Sequence, residues 1–150
     1  MAPLESAPLR IMPVSSTLPL RSPALKFHRL WFAIGIALIL VLLYGSLAPA
    51  TAMPPLGGSD KFWHTATYFV VMVYFAQIYS TLRSRLSIAA ALIALGVLIE
   101  FIQPLVNRQF DWFDALANAV GVAAALLISL SRLRLILLWV DDRLHRYLQA

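Results

Sequence analysis

The sequence predicts an all-α integral membrane bundle of four transmembrane helices, followed by an amphipathic C-terminal helix at the membrane interface. Three observations carry this expectation. The 150-residue chain is 61% hydrophobic and only 13% charged, with a mean hydropathy of +0.79, whereas soluble domains are about 25% charged. Four apolar runs approach the roughly 20 residues that cross a ~30 Å hydrocarbon core. The basic residues flank those runs rather than forming a stripe on a soluble face, which is how membrane topology is encoded. The net charge of +5 therefore reads as topology, and no nucleic-acid partner is expected. Cysteine is absent, which excludes a disulfide framework and a cysteine-bound metal.

Residues 1–26 hold Pro3, Pro8, Pro13, Pro19 and Pro23 among Ser, Leu and Ala. Proline at this density prevents a helix, and few large apolar groups are present to offset ordering entropy. The segment reads as a flexible cytoplasmic tail. Lys26, His28 and Arg29 precede the first span, an unbroken apolar run from Leu30 to Leu47. Ala48-Pro49-Ala50 has the small residues of a signal-peptide cleavage site, but the long preceding tail, the length of the run and the internal proline favour a retained span.

Residues 48–59 are a proline- and glycine-rich loop, and Ser59 or Asp60 caps a second helix over 61–80. Arg83 and Arg85 mark the next turn. A third helix covers 86–103, where Pro104 ends or kinks it because its ring clashes with the preceding turn. A short loop carries Arg108, and Asp111 caps a fourth helix running to Leu130. In 132–150, Leu133, Leu135, Leu137, Leu138, Val140, Leu144 and Leu148 alternate with Arg132, Arg134, Asp141, Asp142, Arg143 and Arg146. That pattern is an amphipathic helix on the membrane surface. The organisation is thus a tail (1–26), a four-span domain (27–131) and an interfacial helix (132–150). Ten of the twelve Lys and Arg residues fall on one side of these spans, and only Lys61 and Arg108 on the other. The bias places both termini in the cytoplasm.

The polar residues of the spans then gather toward the extracytoplasmic face. Asp60, His64 and Tyr68 are spaced i, i+4, i+8 and share one helix face, with Tyr68 roughly 12 Å deeper than Asp60. Glu100 and Gln103 share a face of the third helix. Asp111, Asp114, Asn118 and Gly121 form an inward stripe on the fourth, and Ala117, Gly121 and Ala125 let a neighbouring helix approach closely. Ionisable groups in such segments are costly unless paired or hydrated. Arg108 is the expected bidentate partner of Glu100, Lys61 and Arg108 are suited to snorkelling, and an Asp–Arg–Glu network would tie the helix ends together.

The ordered blocks Asp60-Lys61-x-x-His64-x-x-x-Tyr68, Glu100-x-x-Gln103 and Arg108-x-Phe110-Asp111-x-x-Asp114-x-x-x-Asn118-x-x-Gly121 resemble the VanZ-like family. These are small bacterial membrane proteins named after a component of glycopeptide-resistance clusters associated with teicoplanin resistance. The resemblance covers about residues 60–121. It implies a bacterial inner-membrane location and a polar cluster of Asp60, Lys61, His64, Tyr68, Glu100, Gln103, Arg108, Asp111, Asp114 and Asn118. Pro104 after Gln103 and Asn107 before Arg108 depart from the family pattern, which concerns the shape of that loop. The family supplies a fold and a site without a mechanism.

Two functions are expected from these residues. In the first, an outward vestibule binds an anionic headgroup of an envelope lipid or cell-wall precursor, with Lys61 and Arg108 on phosphate or carboxylate. An enzymatic version uses His64 as general acid or base. In the second, the protein is an accessory subunit of a larger membrane complex, docking through its N-terminal tail or C-terminal helix. Metal is not expected, because His64 is the only outward histidine and imidazole is the commonest zinc ligand. No cofactor is expected, and no serine lies in the cluster to act as nucleophile. Transport is set aside, since the charged residues stop short of the midplane.

Overall fold

A computed structural model describes residues 25–49, 59–131 and 135–149. The expectations for residues 1–24, for the loop at 50–58 and for Arg132 and Arg134 lie outside the described residues. Among the described residues five α-helices follow one another: α1 (His28–Leu47), α2 (Asp60–Ile78), α3 (Leu82–Ile102), α4 (Trp112–Ile128) and α5 (Ile136–Leu148), with a 3-10 turn over Gln103–Val106. No strand occurs among the described residues.

Local chemistry sets the helix boundaries. The Ser59 hydroxyl accepts from Phe62 N and opens α2. Thr81 accepts from Ser84 N and opens α3 four residues earlier than expected, so Arg83 and Arg85 lie in its first turn and not in the preceding loop. Asp111 accepts from Phe113 N at 2.8 Å and opens α4. That helix stops at Ile128, two residues short of the expectation, where Ser129 turns its hydroxyl back onto Leu126 O at 2.6 Å. Pro104 tightens the end of α3 into the 3-10 turn, which closes at Asn107 in the left-handed region (φ 59°). Asparagine tolerates that conformation better than most residues.

Contacts between helix ends establish an antiparallel arrangement. At one end lie the C-termini of α1 and α3 with the N-termini of α2 and α4. At the other lie the N-termini of α1 and α3, the C-termini of α2 and α4, and α5. The α2–α4 contact is the most extensive, and a glycine makes it close: a Cβ on Gly121 would stand 2.2 Å from Thr65 O. The Thr65 hydroxyl donates to Ala117 O at 3.2 Å across the same seam. The expected packing role of Ala117, Gly121 and Ala125 is thereby located; all three are buried. Around the seam Tyr68, Met72 and Val122 are almost wholly enclosed.

The outer surface is apolar. Only Gly35 and Leu42 are buried among the 20 residues of α1, leaving Leu30, Phe32, Ile34, Ile36, Leu40 and Val41 exposed. Among the described residues, two helical stretches, His28–Leu47 and Leu82–Val106, are long and apolar enough to cross a membrane, and Trp112–Ile128 is apolar but shorter. In α5, Leu137 and Asp141 face the bundle, while Ile136, Trp139 and Leu148 are exposed.

Candidate functional site

The N-termini of α2 and α4 bring most of the polar line-up together. Lys61 Nζ lies 2.8 Å from Asp111 Oδ2 and 3.2 Å from Asp114 Oδ1. One ammonium therefore ties the first turn of α2 to the cap and first turn of α4. The Lys61 bond, and after it the Phe113 amide, hold the Asp111 carboxyl below the usual carboxylate range. Behind Lys61, His64 is buried and its Nδ1 lies 3.2 Å from Asn118 Oδ1. Its Nε2 faces Asp114 Oδ2 at 3.7 Å and Asp60 Oδ2 at 3.8 Å. Asp114 is as buried as the imidazole, whereas Asp60 is 63% exposed and Lys61 49%.

Glu100 forms the floor. It is wholly enclosed, with Oε2 accepting from Asp111 N at 3.3 Å and Oε1 without a hydrogen-bond partner among the described residues. Its carboxylate is within electrostatic reach of His64, Asp114 and Asp111. Tyr68 is also enclosed, and its hydroxyl has no hydrogen-bond partner among the described residues. This hydroxyl and the Asn118 amide flank Gly96 of α3, where a Cβ would meet them at 3.2 and 3.0 Å.

The expected Arg108–Glu100 pair does not form. Arg108 Nη1 instead donates to Gly45 O at 3.2 Å and Ala48 O at 3.3 Å, the free carbonyls at the C-terminus of α1. Gln103 Nε2 joins it by donating to Ser46 O at 3.1 Å. The physical reason is that a helix C-terminus presents unpaired carbonyls and negative partial charge, which a guanidinium satisfies. Arg108 and Gln103 thus fasten α1 to the bundle, while Asp111 N serves Glu100. The proposed Asp–Arg–Glu network is replaced by a Lys61–Asp111–Glu100 chain.

At the opposite end two buried charges escaped the sequence reading. Arg85 donates through Nε to Tyr79 O (2.9 Å) and through Nη1 to Ser129 O (2.8 Å), clasping the C-termini of α2 and α4. With α3 opening at Leu82, Arg85 is a cation in its first turn and opposes that helix's own dipole, which favours a partner elsewhere; the expected helix start at residue 86 hid this mismatch. Asp141 on α5 accepts from Lys26 N (2.7 Å), Phe27 N (3.1 Å) and Trp31 Nε1 (2.7 Å) at the start of α1. Burial pushes its carboxyl up, but the Trp31, Lys26 and Phe27 donors prevail and hold it below its ordinary value. Lys26 Nζ pairs with Asp142 at 3.0 Å, and Gln77 Oε1 accepts from Leu137 N at 2.9 Å. Nothing local marks such a clasp, because its partners lie 110–115 residues apart.

The chain is similar to an uncharacterized protein of Schizosaccharomyces pombe, with 33% identity over 102 residues, covering 65% of this chain and 61% of the relative. The chain thus spans less than two thirds of that protein's length. No known family profile and no solved structure matches it.

Proposed function

We propose that the chain is a VanZ-like membrane protein in which α1 to α4 all cross the bilayer. In this reading the wall of Asp60, Lys61, His64, Asp111 and Asp114 faces the extracytoplasmic side of a bacterial inner membrane. It binds the phosphate-bearing headgroup of an envelope lipid or cell-wall precursor, and through that contact contributes to glycopeptide resistance. The observation that carries the reading is the convergence of polar side chains from three helices at one end of an otherwise apolar bundle. Ionisable groups placed so mark ligand sites by default. Exposed Lys61 supplies the contact to phosphate.

Aromatic residues support the depth assignment. Phe62, Trp63, Phe101, Phe110, Trp112 and Phe113 surround the site end, with Phe101, Phe110 and Trp112 in mutual contact at 4.8–5.9 Å. Trp31, Tyr79, Trp139 and Tyr147 mark the other end. Two aromatic zones separated by apolar helix are the arrangement of membrane interfaces, and headgroups lie at that depth. The apolar outer face of α1 is of the kind that lipid covers.

The test is purification of the full chain in mild detergent, followed by mass spectrometry of retained lipid. The expected result is a phosphate-bearing lipid retained by the native protein and lost in Lys61→Gln and His64→Ala variants that accumulate normally. A stoichiometric protein partner surviving both substitutions, with no retained lipid, would replace this reading by the accessory-subunit one.

A further inference from the structure

The polar wall carries more negative charge than its own cations neutralise. Asp60, Asp111 and Asp114 line it, with Glu100 beneath them. Lys61 pairs with two of these carboxylates, while Arg108 is directed to the carbonyls of α1. For a phosphate, the Lys61 contact alone does not offset this surplus, whereas a cation is attracted by it.

The imidazole points to where that cation sits. Asn118 Oδ1 is purely an acceptor, so the 3.2 Å contact makes His64 Nδ1 the donor. A neutral imidazole then turns the Nε2 lone pair toward two carboxylate oxygens, at 3.7 and 3.8 Å. Those distances are too long for hydrogen bonds. They are close to the spacing of two ligands on one metal ion: donors ~2.1 Å from a common centre, at 110–120° to each other, stand about 3.5 Å apart. The three ligand atoms, one each from Asp60, His64 and Asp114, lie within 4.8 Å of one another. Asp60 is exposed and free to close the remaining gap, and Lys61 occupies only Oδ1 of Asp114, leaving Oδ2 for an ion.

A second observation is independent of this triad. Glu100 Oε1 is completely buried without a donor among the described residues, in a carboxyl group within electrostatic reach of His64 and Asp114. Buried acceptors rarely go unsatisfied, and a water carried by an ion would supply the missing donor.

We propose that Asp60, His64 and Asp114 form a binding site for a divalent transition-metal ion, with its fourth position open to the vestibule. Asn118 is the positioning residue that fixes the imidazole tautomer, as the outer partners of metal-bound histidines do. This deepens the headgroup reading and rests on it only for the occupant of the fourth position, where a phosphate oxygen enters. Sequence reasoning expected no metal because it sought a second histidine; the buried Asp114 and the exposed Asp60 take that place.

The experiment is titration of Zn2+ alone into chelator-stripped full-length protein in detergent, by calorimetry. The visible spectrum of the Co2+ form reports ligand geometry separately. The expected result is one Zn2+ per chain. Binding is lost in His64→Ala and Asp114→Asn, and weakened about 10- to 100-fold in Asn118→Ala. It is unchanged in Asp142→Asn at the opposite end. Asp60→Asn, on the exposed ligand, tests the site without disturbing the packed interior and is expected to weaken Zn2+ at least tenfold. Absence of Zn2+ binding to the native chain, or binding unaltered by Asp60→Asn and Asp114→Asn, overturns the proposal. A short-chain phosphatidic acid, added with and without Zn2+, separates the two readings. Zn2+ bound without any lipid binding retains the metal site and refutes the headgroup. Lipid bound equally after chelation, with no Zn2+ site, does the reverse.

Discussion

Replacing Gly121 with alanine is the most direct perturbation of the seam that positions the site. The added Cβ would lie 2.2 Å from Thr65 O and 3.1 Å from Phe69 N. Both are backbone atoms of α2, so no side-chain rotation relieves the clash. Helices α2 and α4 must separate by about 1 Å to restore ordinary contact, and a gap of that size forfeits up to half of each dispersion well along the seam. Overpacking of this kind costs about 2–3 kcal/mol. Stretching the Thr65–Ala117 hydrogen bond adds roughly 0.6 kcal/mol, the average for such bonds between membrane helices. Alanine returns about 1 kcal/mol of helix propensity. The net loss is roughly 2 kcal/mol, or a fall in Tm of roughly 4–8 °C for a chain of this size. Scanning fluorimetry in detergent measures it, with Ala123→Leu on the exposed face of α4 as the control expected to change little. A Gly121→Ala protein melting within a degree of wild type would refute the close-seam argument.

The Asp141 clasp makes stability depend on pH with a definite sign. Its folded pKa lies below the unfolded value of about 3.9, so the clasp contributes fully above that value and is lost as pH falls through the lower, folded pKa. Acidification below about pH 4 is expected to free α5 from the start of α1. Trp31, whose indole donates to Asp141, reports this as a fluorescence change, and Asp141→Asn should remove the transition in that range. Arg85→Lys should destabilise this same end of the bundle by roughly 2–3 kcal/mol, because one ammonium cannot reproduce the fork that reaches both Tyr79 O and Ser129 O. Normal thermal stability in that variant would show that the two carbonyls are satisfied without the guanidinium.

The parts of this molecule legible from sequence were those fixed by neighbours a few residues away. Asp111 followed by an apolar run reads as a cap, and it is one. Pro104 reads as the end of a helix, and the chain tightens there. The gathering of Asp60, Lys61, His64, Asp111, Asp114 and Asn118 followed from helix periodicity together with alternating chain direction. Partner choice did not follow, because it depends on distances between helices. Arg108 had several acceptors within reach of its long side chain, and the unpaired carbonyls of α1 took it instead of Glu100. Asp141 looked like a marker of the membrane surface, and its role became visible only when α5 was seen against the start of α1.

The clasp between Lys26, Phe27, Trp31 and Asp141 also imposes an order of assembly. Its halves are separated by 110–115 residues, so the amides at the start of α1 do not meet the Asp141 carboxylate until synthesis has reached α5. At about 5–20 residues per second, that interval is on the order of ten seconds. During it α1 is held only by partners that emerge sooner, among them Tyr74, whose hydroxyl donates to Trp31 O at 2.7 Å, and Arg108 at its far end. Helix α5, made more than a hundred residues later, is therefore the latch for α1, and a nascent chain stalled before Asp141 would carry a bundle in which α1 is docked but not yet locked.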